Sequence, residues 1–156
     1  MSTKTTSPAV AADPVIVALN KLLADTYALM SQSHLAHWNV EGPDFFQLHT
    51  AFETQYRELF EASDEIAEQV RSLGGFAEGG LKRYVELADL TPMPGGRMAA
   101  KDRVAHLIDG HEKCSAAAKE VENLSGEADD LESQDLAIAR RQAHQKAIWM
   151  LTSFLK

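Results

Sequence analysis

A single cysteine, Cys114, leaves nothing with which to close an internal disulfide, so the chain is no cysteine-stapled secreted module. Long apolar runs are missing too. None approaches the roughly 20 residues needed to span a bilayer, which argues against membrane insertion. Basic residues are outnumbered 15 to 23, and the formal net charge of -8 makes the average surface repel nucleic acid and attract cations. The opening MSTKTTSPAVAADP lacks the apolar centre of a secretory signal, so a cytoplasmic location is expected. Glycine and proline are few and clustered, which leaves long stretches without a helix breaker.

Those stretches read as helices. Residues 1–13 are Ser/Thr/Ala-rich without periodicity and are expected to be a flexible tail, with the folded domain spanning 14–156. Asp13-Pro14 has the form of an N-cap followed by proline at the first helical position. Val15, Leu19, Leu22, Leu23, Leu29 and Met30 then recur at helical spacing up to Gly42-Pro43, a helix of roughly 27 residues and about 40 Å. Asp44 and Gln47 have capping-box spacing ahead of a second stripe, Leu48, Phe52, Tyr56, Leu59, Ser63, Ile66, Val70 and Leu73, which ends at Gly74-Gly75. A Gly/Pro-rich connection containing TPMPGG leaves room for one short helix, LKRYVELA, before a third long helix from about Met98 to Leu124, stopped by Ser125-Gly126. The fourth carries Leu136, Ala139, Ala143, Ala147, Met150, Leu151 and Phe154 on its expected inner face. Tyr56 and the phenylalanines of the second helix are expected in the core. Four long helices with one long crossover, containing a short helix between the second and third, describe an all-α, ferritin-like four-helix bundle.

Chemistry concentrates around the first turn. His37 and His49 flank Gly42-Pro43 on opposite arms of the hairpin, so the turn can bring the two imidazoles level. Asp64 and Glu68, four residues apart on the second helix, share one face and form an oxygen-ligand pair. Mixed imidazole and carboxylate ligation suits iron, manganese or zinc better than copper(I) or a thiolate-bound cluster. His49 and Asp64 are 15 residues apart on one continuous helix, hence about 22 Å. One chain cannot bring all four to one ion. If they share a metal, the histidines come from one subunit and the carboxylates from another, around a two-fold axis.

AHWNVEGPDFFQLH, with its histidines 12 apart, SDEIAEQVRSLGG, with Asp64 and Glu68 four apart, and HQKAIWML near the end together resemble the Dps family, the DNA-binding proteins from starved cells. The resemblance covers nearly everything after residue 13. It implies a ferritin-like cage of twelve subunits that oxidises ferrous iron at dimer interfaces, with His37, His49, Asp64 and Glu68 as ligands of up to two iron ions per site. It also implies hydrogen peroxide or dioxygen as oxidant, storage of ferric mineral and protection against oxidative damage. Trp38, beside His37, becomes an oxidisable ring able to absorb stray one-electron equivalents. In the family an acidic segment at the start of the last helix lines iron-entry pores, which points to Asp129, Asp130, Glu132 and Asp135 in EADDLESQD, with Glu127 beside them.

Blander readings stand beside these. His34, three before His37, is expected to be exposed or to support the ligands rather than to bind iron. Asp102 with His106, and separately His111, form a rival metal grouping without support from the resemblance. The acids of EADDLESQD also suit a helix N-terminus. Some Dps proteins compact DNA through lysine-rich tails, and the alternative function is a starvation-induced nucleoid protein with a secondary metal site. Residues 1–13 hold only Lys4 against Asp13, so DNA binding is expected to be weak or absent.

Overall fold

The computed structural model describes residues 12–156; the expected tail, residues 1–11, lies outside the described part. Five helices follow in order: α1 Pro14–Asn39, α2 Phe45–Ser72, α3 Leu81–Leu87, α4 Ala100–Glu127 and α5 Leu131–Phe154. α1 starts as its sequence requires, with Pro14 at the first position and the Asp13 carboxylate accepting from the Val15 N–H at 2.9 Å. α1 and α2 pack as one hairpin, α4 and α5 as another, and α1 joins the two by packing on α4. No described helix is long and apolar enough to cross a membrane.

The core lies in two clusters along the bundle. At the end nearer Gly42 it contains Leu29, Ala36, Leu48, Phe52, Leu59, Leu107, Cys114 and Leu151. At the far end it contains Val15, Leu19, Leu22, Leu23, Ile66, Val70, Ala118, Val121 and Ala137. Each such leucine or phenylalanine contributes about 1.5–3 kcal/mol by leaving water. The crossover from α2 to α4 runs beside α1 and is strapped to it by polar side chains. Asn20 donates to the Phe76 carbonyl at 3.2 Å and accepts from the Glu78 N–H at 2.8 Å, while Asp25 accepts from the Asp89 N–H at 2.7 Å. Gln32 donates to the Thr91 carbonyl at 3.1 Å, and Tyr27 stacks on Tyr84 of α3. These bonds explain why Asn20 and Asp25 are buried among the leucines of α1.

Several sequence expectations are corrected. α4 runs through Ser125-Gly126 to Glu127, since the Ser125 hydroxyl bonds back to the Val121 carbonyl and Gly126 keeps an ordinary backbone conformation. The helix begins at Ala100, not Met98. Asp44 makes no side-chain cap bond, so the Asp44–Gln47 capping box is absent. Of the second-helix aromatics only Phe52 is fully buried; Tyr56 is half-buried, and Phe46 and Phe60 are exposed. The inner stripe of α5 is Ser133, Ala137, Arg140, His144 and Leu151, whereas Ala139 and Met150 face outward. Alanine fits either face of a helix, so it marks the inner one poorly, and the true inner face carries polar groups with partners across the bundle.

Candidate metal centre

Gly42, at φ +106, turns the chain between α1 and α2 in a conformation that suits glycine. His37 stands in the last turns of α1 and His49 near the start of α2. Their imidazoles stack with centroids 3.7 Å apart and planes within 19°. The hydrogen bonds around them fix their tautomers. His37 Nδ1 is 2.8 Å from the His49 carbonyl oxygen, and His49 Nδ1 is 2.8 Å from the His37 carbonyl oxygen. A carbonyl only accepts, so both Nδ1 atoms carry a proton and donate it. In the neutral rings each Nε2 then keeps a free lone pair, which is the form that binds a metal. The His37 carbonyl is one of the last four of α1, which lack an intrahelical partner, so the His49 ring also satisfies a helix end.

Glu53, one turn after His49, lies near enough to feel both histidines without completing a metal-holding group with them, and no expectation from the sequence includes it. Its carboxylate is held below the usual range first by a hydrogen bond from Arg57, with the charges of Arg57, His37 and His49 adding to the effect. The His49-to-Glu53 spacing of four on one helix is the available signal, the same one that pairs Asp64 with Glu68. His34 is occupied elsewhere: its ring lies 4.0 Å from that of Trp38 and 4.2 Å from that of Tyr56. Burial, then the nearby His37 and Arg57, lower the His34 pKa. Trp38 is 62% exposed in the single chain, and the Tyr56 ring meets that of His37 edge-on at 5.3 Å.

Asp64 and Glu68 are exposed side chains on the continuous helix α2, far along it from His49 near its start. Among the described residues no three His, Cys, Asp or Glu side chains are grouped to hold an ion within one chain. The rival grouping is not assembled. His106 Nε2 is 2.8 Å from Gln32 Oε1 and 2.9 Å from the Thr91 carbonyl rather than on Asp102, and His111 points to His144 inside the bundle. The acidic residues share the α4–α5 turn: Asp129 has φ 57, Asp130 caps α5 by accepting from the Ser133 N–H at 3.0 Å, and Glu132 stands in the first turn of α5. Glu127, Asp129, Glu132 and Asp135 are exposed.

Four long helices, a crossover carrying a short one and a histidine pair at the first turn define a ferritin-like protein, and residues 16–156 match the ferritin-like domain family. The chain is 34% identical over 142 residues to the DNA protection during starvation protein of Brevibacillus brevis, covering 91% of this chain and 95% of that one. The crystal structure of a Dps protein from Bacillus brevis superposes with a TM-score of 0.87, at 34% identity over 91% of this chain and 95% of that chain. A Dps protein from Vibrio cholerae, described as a member of a broad superfamily of ferritin-like diiron-carboxylate proteins, matches with a TM-score of 0.88 at 25% identity, covering 100% of both chains. The chain belongs to the Dps family.

Proposed function

We propose that the protein oxidises ferrous iron at sites shared between two copies of the chain and stores the ferric product in a hollow homo-oligomer, a dodecamer on the family pattern. The observation that carries this reading is the reciprocal hydrogen bonding of His37 and His49, which occupies both Nδ1 atoms and leaves the Nε2 atoms of the neutral rings for a metal. Glu53 adds a carboxylate beside them. Asp64 and Glu68, exposed on α2 and unable to reach their own chain's histidines, are the pair a neighbouring copy would supply. Iron is the substrate. Two ferrous ions give one electron each to one hydrogen peroxide, which takes up two protons and leaves as two waters. Paired transfer avoids hydroxyl radical, and Trp38, next to His37, would quench strays. Acids at the α4–α5 turn would concentrate ferrous ions at an entry pore. Peroxide protection in the cytoplasm is the physiological reading.

DNA compaction is the weaker alternative, because a net charge of -8 per chain opposes it. A gel shift that survives about 150 mM salt would favour it. The test of the main reading is anaerobic loading with ferrous iron, then limiting peroxide, followed by ferric absorbance. Wild type is expected to oxidise two irons per peroxide, and Asp64→Ala/Glu68→Ala to lose the fast phase. Equal behaviour of the two proteins refutes the ligand assignment.

A further inference from the structure

The inner stripe of α5 carries Arg140 and His144 where α5 passes from one core cluster to the other, between Ala137 and Leu151. His144 is 1% exposed and His111 of α4 is 2% exposed. Their Nδ1 atoms are 2.9 Å apart, a separation that holds one proton and no more. Gln55 Oε1 on α2 lies 3.4 Å from His111 Nε2 and can only accept from it, so His111 is protonated at Nε2 and its Nδ1 accepts from His144. His144 Nε2 is then a bare acceptor with no hydrogen-bond partner, and Arg140 Nε, one turn away, is a donor with none.

The charges around this pair are one-sided. On α5, Arg140 is ion-paired to Glu58 of α2, so that carboxylate is engaged by the guanidinium. α4 adds the buried thiol of Cys114, which burial keeps protonated. On α1, Asp25 is paired with Lys21, and both act on Cys114. α2 presents the neutral amide of Gln55. Of the Arg140–Glu58 ion pair, it is the Arg140 charge that bears on both histidines.

We propose that the His111–His144 pair is an acid-operated latch on α5: one proton taken up at the unpartnered His144 Nε2 would bury a second cation beside Arg140, a further one at His111 Nδ1 would set two N–H groups against each other, and α5 would part from α4 and α2. Burial first, then the Arg140 charge, push His111 down from 6.5 to about 4. Burial, then His111 and Arg140, push His144 lower still. The folded state therefore keeps both rings neutral at pH values where the unfolded chain takes up protons. Stability is whole above the unfolded value of 6.5 and is lost as pH falls from there towards the folded values. Each pH unit of descent raises the unfolded-to-folded ratio about tenfold per ring and about a hundredfold for the pair.

The test follows helix content of the full, iron-free protein from pH 8 to 4, for wild type and for His111→Asn/His144→Asn, in which amides occupy the Nδ1 positions without titrating. Wild type is expected to open at higher pH, in a transition steeper by about two protons. Identical midpoint and steepness overturn the proposal. Should the variant fail to fold, histidine-labelled wild type is read by NMR during the same titration. The two buried rings are expected to keep neutral shifts until they are lost together with the fold. Independent titration near the ordinary histidine value, in protein that is still folded, overturns the latch.

Discussion

Gly110 stands in the middle of α4, where alanine would ordinarily be the better residue by about 1 kcal/mol, because glycine gives up more backbone freedom in a helix. The packing reverses that sign. A Cβ built at Gly110 would sit 2.6 Å from Leu29 Cδ1, and Leu90 Cδ2 lies 3.6 Å from the same point. Leu29 is fully buried, so it cannot swing into solvent. Overpacking of this kind costs about 1–3 kcal/mol, and the absence of escape room places it in the upper half. Gly110→Ala is therefore expected to destabilise by about 1–2 kcal/mol net, or lower the melting temperature by about 3–6 °C for a chain of this size. Gly126 is the internal control. Its Cβ would meet Gln134 Nε2 at 2.5 Å, the far end of a flexible side chain whose 3.3 Å bond to the Glu122 carbonyl would be lost on moving, so Gly126→Ala is expected to lie between neutral and a gain of about 1 kcal/mol. Thermal and urea unfolding at one fixed protein concentration measure both, because assembly makes the midpoint concentration-dependent. A double-mutant cycle completes the case: Leu29→Ala is expected to cost about 1 kcal/mol less in the Gly110→Ala background, where the new methyl fills vacated space. If Gly110→Ala stabilises as much as Gly126→Ala, the close approach of α1 to α4 at this level is wrong.

Three further outcomes are expected. Co-assembly of His37→Ala/His49→Ala chains with Asp64→Ala/Glu68→Ala chains regains fast iron oxidation, with about a quarter of the sites intact under random pairing; a mixture as inactive as its components excludes the shared site. Glu58→Ala strands the Arg140 guanidinium, whose side chain is 6% exposed, and is expected to cost about 1–2 kcal/mol, discounted because Glu58 itself is 45% exposed. Arg140→Leu costs less, since no buried charge remains, and the reverse order in denaturant melts sinks this account of the pair. Trp38→Phe raises the yield of spin-trapped radical during peroxide turnover, and an unchanged yield removes Trp38 from that role.

Strongly periodic apolar residues make their parts of the fold legible in the amino-acid sequence alone. Val15 to Leu29 and, Tyr56 apart, Leu48 to Val70 lie inside as their spacing requires, and the Gly42 turn is where the glycine-proline pair puts it. α5 is legible in extent but not in face, because its inner side is built from Ser133, Arg140 and His144, whose partners Gln69, Glu58 and His111 are 33 to 82 residues away. Long-range pairing of polar groups leaves no periodic trace. The same reason hides Glu53, which gains meaning only when the hairpin brings His37 next to His49. Conversely, Ser125-Gly126 has the composition of a stop and is not one, since tertiary packing against α5 carries the helix one turn further.

The paired bonds between His37 and His49 have a consequence for the hairpin as a mechanical object. Each ring grips the other helix's main chain, and the two grips run in opposite directions across the same gap. A shift of α2 along α1 by one residue, about 1.5 Å, would stretch both bonds at once. The rings thus gauge the register of the two helices. No third side chain takes part in the two hydrogen bonds, although Tyr56 and Phe45 pack against the rings, and the accuracy of the gauge rests on the length of one turn around Gly42.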